Sequence, residues 1–187
     1  LLVTDTGLLT GERPPNSFSQ NLIISNVTHL EQLISEYYNW KGFLVKQNVK
    51  VGRRDAGGWD MELDVVAYHP HEGRLIHIEA SLDAHSWERR EERYAKKFSI
   101  GEKYILKDIF TWLPAETAIE RIAIFPSAPA GRTHIAGACL RSIDGFMKEV
   151  RSEILTCRVM AKDAIPEQYP LLRTVQLTLL GYHRRVE

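Results

Sequence analysis

Between Glu62 and Tyr68, and again between Leu75 and Ser81, apolar and polar residues alternate in twos. Strand side chains point to opposite faces in turn, so this period predicts two strands. Glu62, Asp64 and Val66 would share one face of the first strand, with Leu63, Val65 and Ala67 on the other. His77, Glu79 and Ser81 would share one face of the second, opposite Ile76, Ile78 and Ala80. The full strands are expected at Phe43–Val51, Glu62–Tyr68 and Arg74–Leu82, with Gly57-Gly58 and Pro70–Gly73 in the turns. Ile119–Phe125 is mostly apolar and predicts a fourth, central strand.

Helical periods fill the gaps. Leu30, Leu33, Ile34 and Tyr37 form one stripe of a helix that Asn26 or Thr28 would cap and Gly42 would end. Trp87, Tyr94, Phe98, Ile105 and Ile109 are spaced seven, four, seven and four, the buried face of a long charged helix from Ser86 to about Phe110. Two further helices are expected near Ser142–Leu155 and Pro166–Leu180, with Pro170 interrupting the second. Residues 1–26 read as an irregular arm with a short strand at Leu22–Ile24. The order is helix, three strands, helix, strand, helices. It predicts one α/β domain over 1–187: a mixed sheet flanked by helices in a core at 27–126, then a mainly helical addition at 127–187.

Composition narrows the function less than the pattern does. The chain has 187 residues, 44% hydrophobic and 26% charged, with 24 basic and 24 acidic side chains balancing to a formal net charge of zero. That removes a global basic excess as a sign of nucleic-acid binding but leaves room for a local patch. Cys139 and Cys157 make no CxxC pair, and no apolar run or signal pattern points to a membrane or to secretion, so a cytoplasmic protein is expected. No phosphate-binding glycine motif occurs.

The acids need an explanation. A lone carboxylate in an apolar strand is costly to bury, and a divalent cation shared by Asp64 and Glu79 would serve both. Mg²⁺, with Mn²⁺ as an alternative, takes carboxylate oxygens and keeps several waters.

Asp64 on the second strand, Glu79-Ala80-Ser81 fifteen residues later and a Lys/Arg-rich helix next resemble the PD-(D/E)XK nuclease superfamily over roughly Leu30–Phe125. The resemblance implies a restriction-endonuclease-like fold with extra C-terminal helices, and a Mg²⁺-dependent endonuclease hydrolysing DNA, by analogy a homodimer. It implies metal ligands at Asp64, Glu79 and the Ala80 carbonyl. It adds Glu31, eleven residues before Gly42, with Glu36 as the competitor. The motif's usual lysine is replaced by Ser81, which keeps a hydroxyl in the catalytic set but brings no charge. Arg90, Tyr94, Lys97 and Phe98 lie nearly on one helix face, so Lys97 or Arg90 would supply the missing cation. Arg90, Arg93 and Lys96 are the candidates for DNA phosphates.

Other readings compete. Asp64 and Glu79 would also serve as structural ion pairs with the neighbouring helix. Ser81 in place of the lysine favours a DNA-binding or assembly protein on the same scaffold that does not cut. Under the nuclease reading, Asp64→Ala and Glu79→Ala are expected to abolish cutting and to leave the fold intact or more stable, because a repulsive pair is relieved. His69, His71 and His77 invite a zinc hydrolase, although no second ligand pair follows them.

Overall fold

The structure is a computed structural model describing residues 28–157 and 162–180. The arm at 1–26, with its expected strand at Leu22–Ile24, lies outside the described residues. The first helix, α1 (His29–Trp40), begins at a reciprocal cap: Thr28 Oγ1 accepts from the Glu31 amide at 3.3 Å, and Glu31 Oε2 accepts from the Thr28 amide at 3.2 Å. Its stripe of Leu30, Leu33, Ile34 and Tyr37 is buried as expected. The helix ends where Gly42 takes a φ of 91°, conformational space that a side chain would resist.

Among the described residues six strands form one sheet in the order β1-β2-β3-β4-β6-β5. Strands β1 (Leu44–Arg53), β2 (Trp59–His69) and β3 (Arg74–Ala80) are an antiparallel meander. From β3 the chain crosses over through α2 (Trp87–Tyr104) and a π-turn at Ile105–Ile109, then returns parallel to β3 as β4 (Ile119–Phe125). Ser86 caps α2, its hydroxyl accepting from the Arg89 amide. The expected α2 stripe ends in the π-turn, where Ile105 stays buried.

Beyond β4 the described residues hold the two expected C-terminal helices and, before them, a short hairpin that was not expected. It adds β5 (His134–Ile135) and β6 (Ala138–Ser142) to the sheet, β6 running parallel to β4. The two are joined by Ala136 and Gly137, both with positive φ (48° and 72°). That is the geometry of a tight two-residue hairpin, made here with alanine where asparagine would have been the readable signal. Ser142 then caps α3 (Ile143–Leu155), and α4 spans Pro170–Leu180. Pro170 opens α4 rather than interrupting it, because the first helical residue has no use for its amide hydrogen.

Helices cover both faces. α1, α3 and α4 share one cluster with Val65, Ala67, Ile76, Ile78, Ala80, Ile122 and Ile124. The α2 side holds two others, built around Leu75, Tyr104 and Phe110, and around Tyr94, Phe98, Ala123 and Phe125. β3 is buried at every position from Leu75 to Ala80, as a central strand must be. Among the described residues no helix is long and apolar enough to cross a membrane.

Gly101 sets how closely α2 approaches β3. A Cβ at that position would overlap the His77 ring. Gly101→Ala should therefore destabilise the protein by about 1–3 kcal/mol through overpacking, although alanine is the better helix former by ~1 kcal/mol. Urea unfolding measures the sign, and a stabilised variant would show that α2 can shift at no cost.

Candidate active site

The β2–β3 ladder runs from His69↔Arg74 to Val65↔Ile78 and ends there, whereas β3 stays paired with β4 as far as Ala80↔Ile124. The next residues of the parting strands are Asp64 and Glu79. Their carboxylates take over the backbone groups released by the split: Asp64 Oδ2 accepts from the Ala80 amide at 2.9 Å, and Glu79 Oε1 accepts from the Asp64 amide at 3.4 Å. A buried amide must find an acceptor, and here the acids provide it.

On the other side of β2 the ladder skips Asn48, which has a φ of 51° and stands opposite Asp64. The alternation breaks at this point. Val65 and Ala67 pack with α1, while Val49, Val51 and Leu63, of the same parity, pack toward the π-turn. Leu63 therefore leaves the face it was expected to share with Val65 and Ala67.

Lys97 completes the site. Its neighbours Tyr94 and Phe98 are packed in the core, so the ammonium arrives from a rigid part of α2. It donates to Asp64 Oδ1 at 2.8 Å and also to Glu79 Oε2. Glu79, fully buried, has its other oxygen 2.7 Å from His77 Nε2. A carboxylate acceptor requires the hydrogen on Nε2, which leaves Nδ1 buried without a partner.

These neighbours drive the three charges apart. Burial first, then the Glu79 charge, push Asp64 up to about 7, against the pull of Lys97. Burial also works against an ionised Glu79, but the His77 hydrogen bond and Lys97 win and hold it below the usual carboxylate range. Lys97 is opposed by burial too, and the two acids keep it protonated above the ordinary lysine range.

The remaining candidates lie elsewhere. The Ser81 hydroxyl donates to Asp83 Oδ2 at 2.6 Å, away from the cluster. Arg90 is buried between the Trp87 and Phe125 rings and donates from Nε to Asp83 at 2.9 Å, so it is not the cation shared by the two acids. Arg93 joins the same carboxylate at 3.2 Å. Both arginines clamp the turn between β3 and α2, while Lys96 stays exposed. Glu31 is spent on the α1 cap, across the sheet from Asp64 and Glu79, and so stands outside their cluster. Glu36, the competing choice, accepts from the Leu172 amide at 2.9 Å and ties α1 to α4. The histidines also separate: His69 stacks edge-on against Phe43 in the α1 layer, with His71 beside it, while His77 faces α2. Sequence reasoning missed Asp83, whose pKa is lowered to about 2 as Ser81 and Arg90 outweigh its burial. Its signal was a lone acid in a turn just before a helix cap.

Among the described residues no group of three or more His, Cys, Asp or Glu is placed to hold a metal. What the site offers is two carboxylates converging on one cation, a donor set for a hard, largely hydrated ion such as Mg²⁺ and a poor one for zinc.

No known family's sequence model matches the chain, and no curated protein does. Among solved structures it is similar to AF1548, a protein of unknown function, at 12% identity and a TM-score of 0.46, over 81% of this chain and 97% of that one.

Lys97 reverses the expectation that losing an acid is stabilising. Glu79→Ala leaves Lys97 to Asp64 alone and takes the acceptor from the buried His77 ring, and should cost about 1–3 kcal/mol. Asp64 adds a pH signature. Its folded pKa is raised from 3.8 to about 7, so the folded state binds the extra proton and stability falls as pH rises between those values. In Asp64→Asn that contribution should vanish, giving a flatter denaturation profile from about pH 4 to pH 7. An unchanged slope would assign the proton to another group.

Proposed function

We propose that the protein is a Mg²⁺-dependent endonuclease that hydrolyses phosphodiester bonds in DNA, with Asp64, Glu79 and Lys97 at its centre. One observation carries this reading: the Lys97 ammonium lies between the two acids at the point where β2 and β3 part. A lysine from α2 thus supplies the charge that Ser81 does not.

Asp64 and Glu79 would hold the metal, which when bound polarises a phosphoryl oxygen and lowers the pKa of its water. Asp64 must first lose its proton, so metal affinity should climb as pH passes about 7. Glu79 is kept ionised with His77 fixing its second oxygen, so one ligand is ready at any physiological pH. With the metal held by the two acids, Lys97 would turn its charge to the phosphate, where negative charge grows as the bond breaks. His77 orients Glu79 and touches no reacting atom.

A second reading, a DNA-binding or assembly protein that does not cut, has one observation in its favour: Lys97 and two backbone amides engage both carboxylates within the protein.

Two measurements separate the readings. Supercoiled plasmid and branched DNA should be nicked or cut with Mg²⁺ or Mn²⁺ and left intact in EDTA. Asp64→Asn and Glu79→Gln should abolish the activity. Lys97→Met should lower turnover by roughly 10²–10³-fold with little change in DNA affinity. Full activity in either acid variant would end the proposal. In the second measurement, Lys97→Met should unfold more easily than the wild type, because the two acids lose their shared cation, and Mg²⁺ should restore the lost stability. A variant that Mg²⁺ leaves unchanged favours the non-cutting protein.

A further inference from the structure

Two turns along α2 from Lys97, the chain opens a cavity of about 520 Å³ lined by Lys50, Gly52, Arg53, Trp59, Tyr104, Lys107 and Asp108. Tyr104 follows Lys97 by seven residues on the same helix face, which is about 10 Å along the axis. The floor is built with care. Gly52 has a φ of 68°, and a Cβ there would meet Asp60 Oδ2 at 2.6 Å and the Tyr104 ring at 2.8 Å. Tyr104 donates to Asp60 at 2.7 Å, and the Gly52 amide donates to Asp108 at 3.3 Å. Glycine at this position thus lets β1 settle against α2.

The rim is cationic. Lys50, Arg53 and Lys107 are exposed, and none forms an ion pair with a described residue; Lys107 lies 5.8 Å from the Tyr104 ring centroid. Against these three charges the lining holds one acid, Asp108. A surplus of two positive charges on a chain of formal net charge zero is a local concentration. Beside it stands Trp59, one of the few large hydrophobic side chains left exposed, at 44%.

Cations without partners next to an exposed indole suit a phosphate backbone with an accessible base. Stacking on a side chain needs a free base face, and a paired base inside a duplex has both faces covered by its neighbours. We propose that this cavity is a subsite for an unpaired nucleotide of a single DNA strand, its base on Trp59 and its phosphates on Lys50, Arg53 and Lys107. Resting on the nuclease reading for its link to the Lys97 site, the proposal makes the substrate DNA that carries a single-stranded segment within a nucleotide or two of the cut.

The test uses the full chain in EDTA, so that binding is read without cleavage. A fluorescently labelled oligothymidine and a blunt duplex of equal length are titrated by anisotropy. The wild type should prefer the single strand. Trp59→Ala should weaken that binding roughly tenfold and leave duplex binding unchanged, while Trp59→Phe retains most of it. Arg53→Gln with Lys107→Gln should make the single-strand salt dependence shallower by about 0.7 per lost contact. Equal affinity for both DNAs, a Trp59→Ala variant that binds like the wild type, or thymidine monophosphate binding as tightly as the oligomer would each overturn the subsite. A protein that cuts nothing but keeps Trp59-dependent binding would lose the nuclease reading and retain the subsite.

Discussion

A single ammonium group shared by two carboxylates is the constraint on which this fold turns. Without Lys97, Asp64 and Glu79 would be like charges facing each other in a part of the sheet from which water is largely excluded. Two acids and one lysine still leave a net negative charge, and the protein places that excess on Asp64, the more solvent-accessible acid. The site is therefore poised: one proton or one added cation would neutralise it.

The geometry behind this is a controlled failure of the sheet. β2 and β3 pair up to Val65↔Ile78 and then separate, which would leave buried amides without acceptors. The two acids accept from those amides with one oxygen each and turn the other toward Lys97. The same carboxylates thus close the sheet and form the site. Opposite them, Asn48 in the left-handed region interrupts the alternation of β1 and β2, directing the far half of the hairpin toward α2 and the π-turn. That redirection also forms the cationic cavity, because Lys50 and Arg53 belong to the same half of β1.

Several contacts hold α2 in register with the acids. Gly101 admits the His77 ring, and His77 in turn fixes Glu79. At the other end Asp83 gathers Ser81, Arg90 and Arg93, closing the turn from which α2 starts. Arg90 has a structural role that its position in a basic helix conceals. A guanidinium sandwiched by Trp87 and Phe125 and bonded to a half-buried acid has no free face for a phosphate.

Much of this was legible in the residues alone. Period-two alternation located β2 and β3 with their acids, the spacing of Tyr94 and Phe98 located the face of α2 that carries Lys97, and Thr28 and Gly42 bounded α1. These are local signals, set by backbone geometry and the burial of one face, and they survive without knowledge of the neighbours. The short β5–β6 hairpin escaped because its turn uses Ala136 in a conformation that alanine seldom adopts. Which cations were free was a different matter. Arg90 and Lys97 sit on the same helix face seven residues apart, and nothing in their order distinguishes a clamp on Asp83 from a bridge between Asp64 and Glu79. The commitment of Glu31 to a cap, by contrast, was legible in its spacing of three from Thr28; the roles of Arg90 and Lys97 were not. Only the packed chain decided these roles, because an ion pair depends on distances between residues far apart in sequence, and those distances exist only once the sheet and α2 have closed on each other.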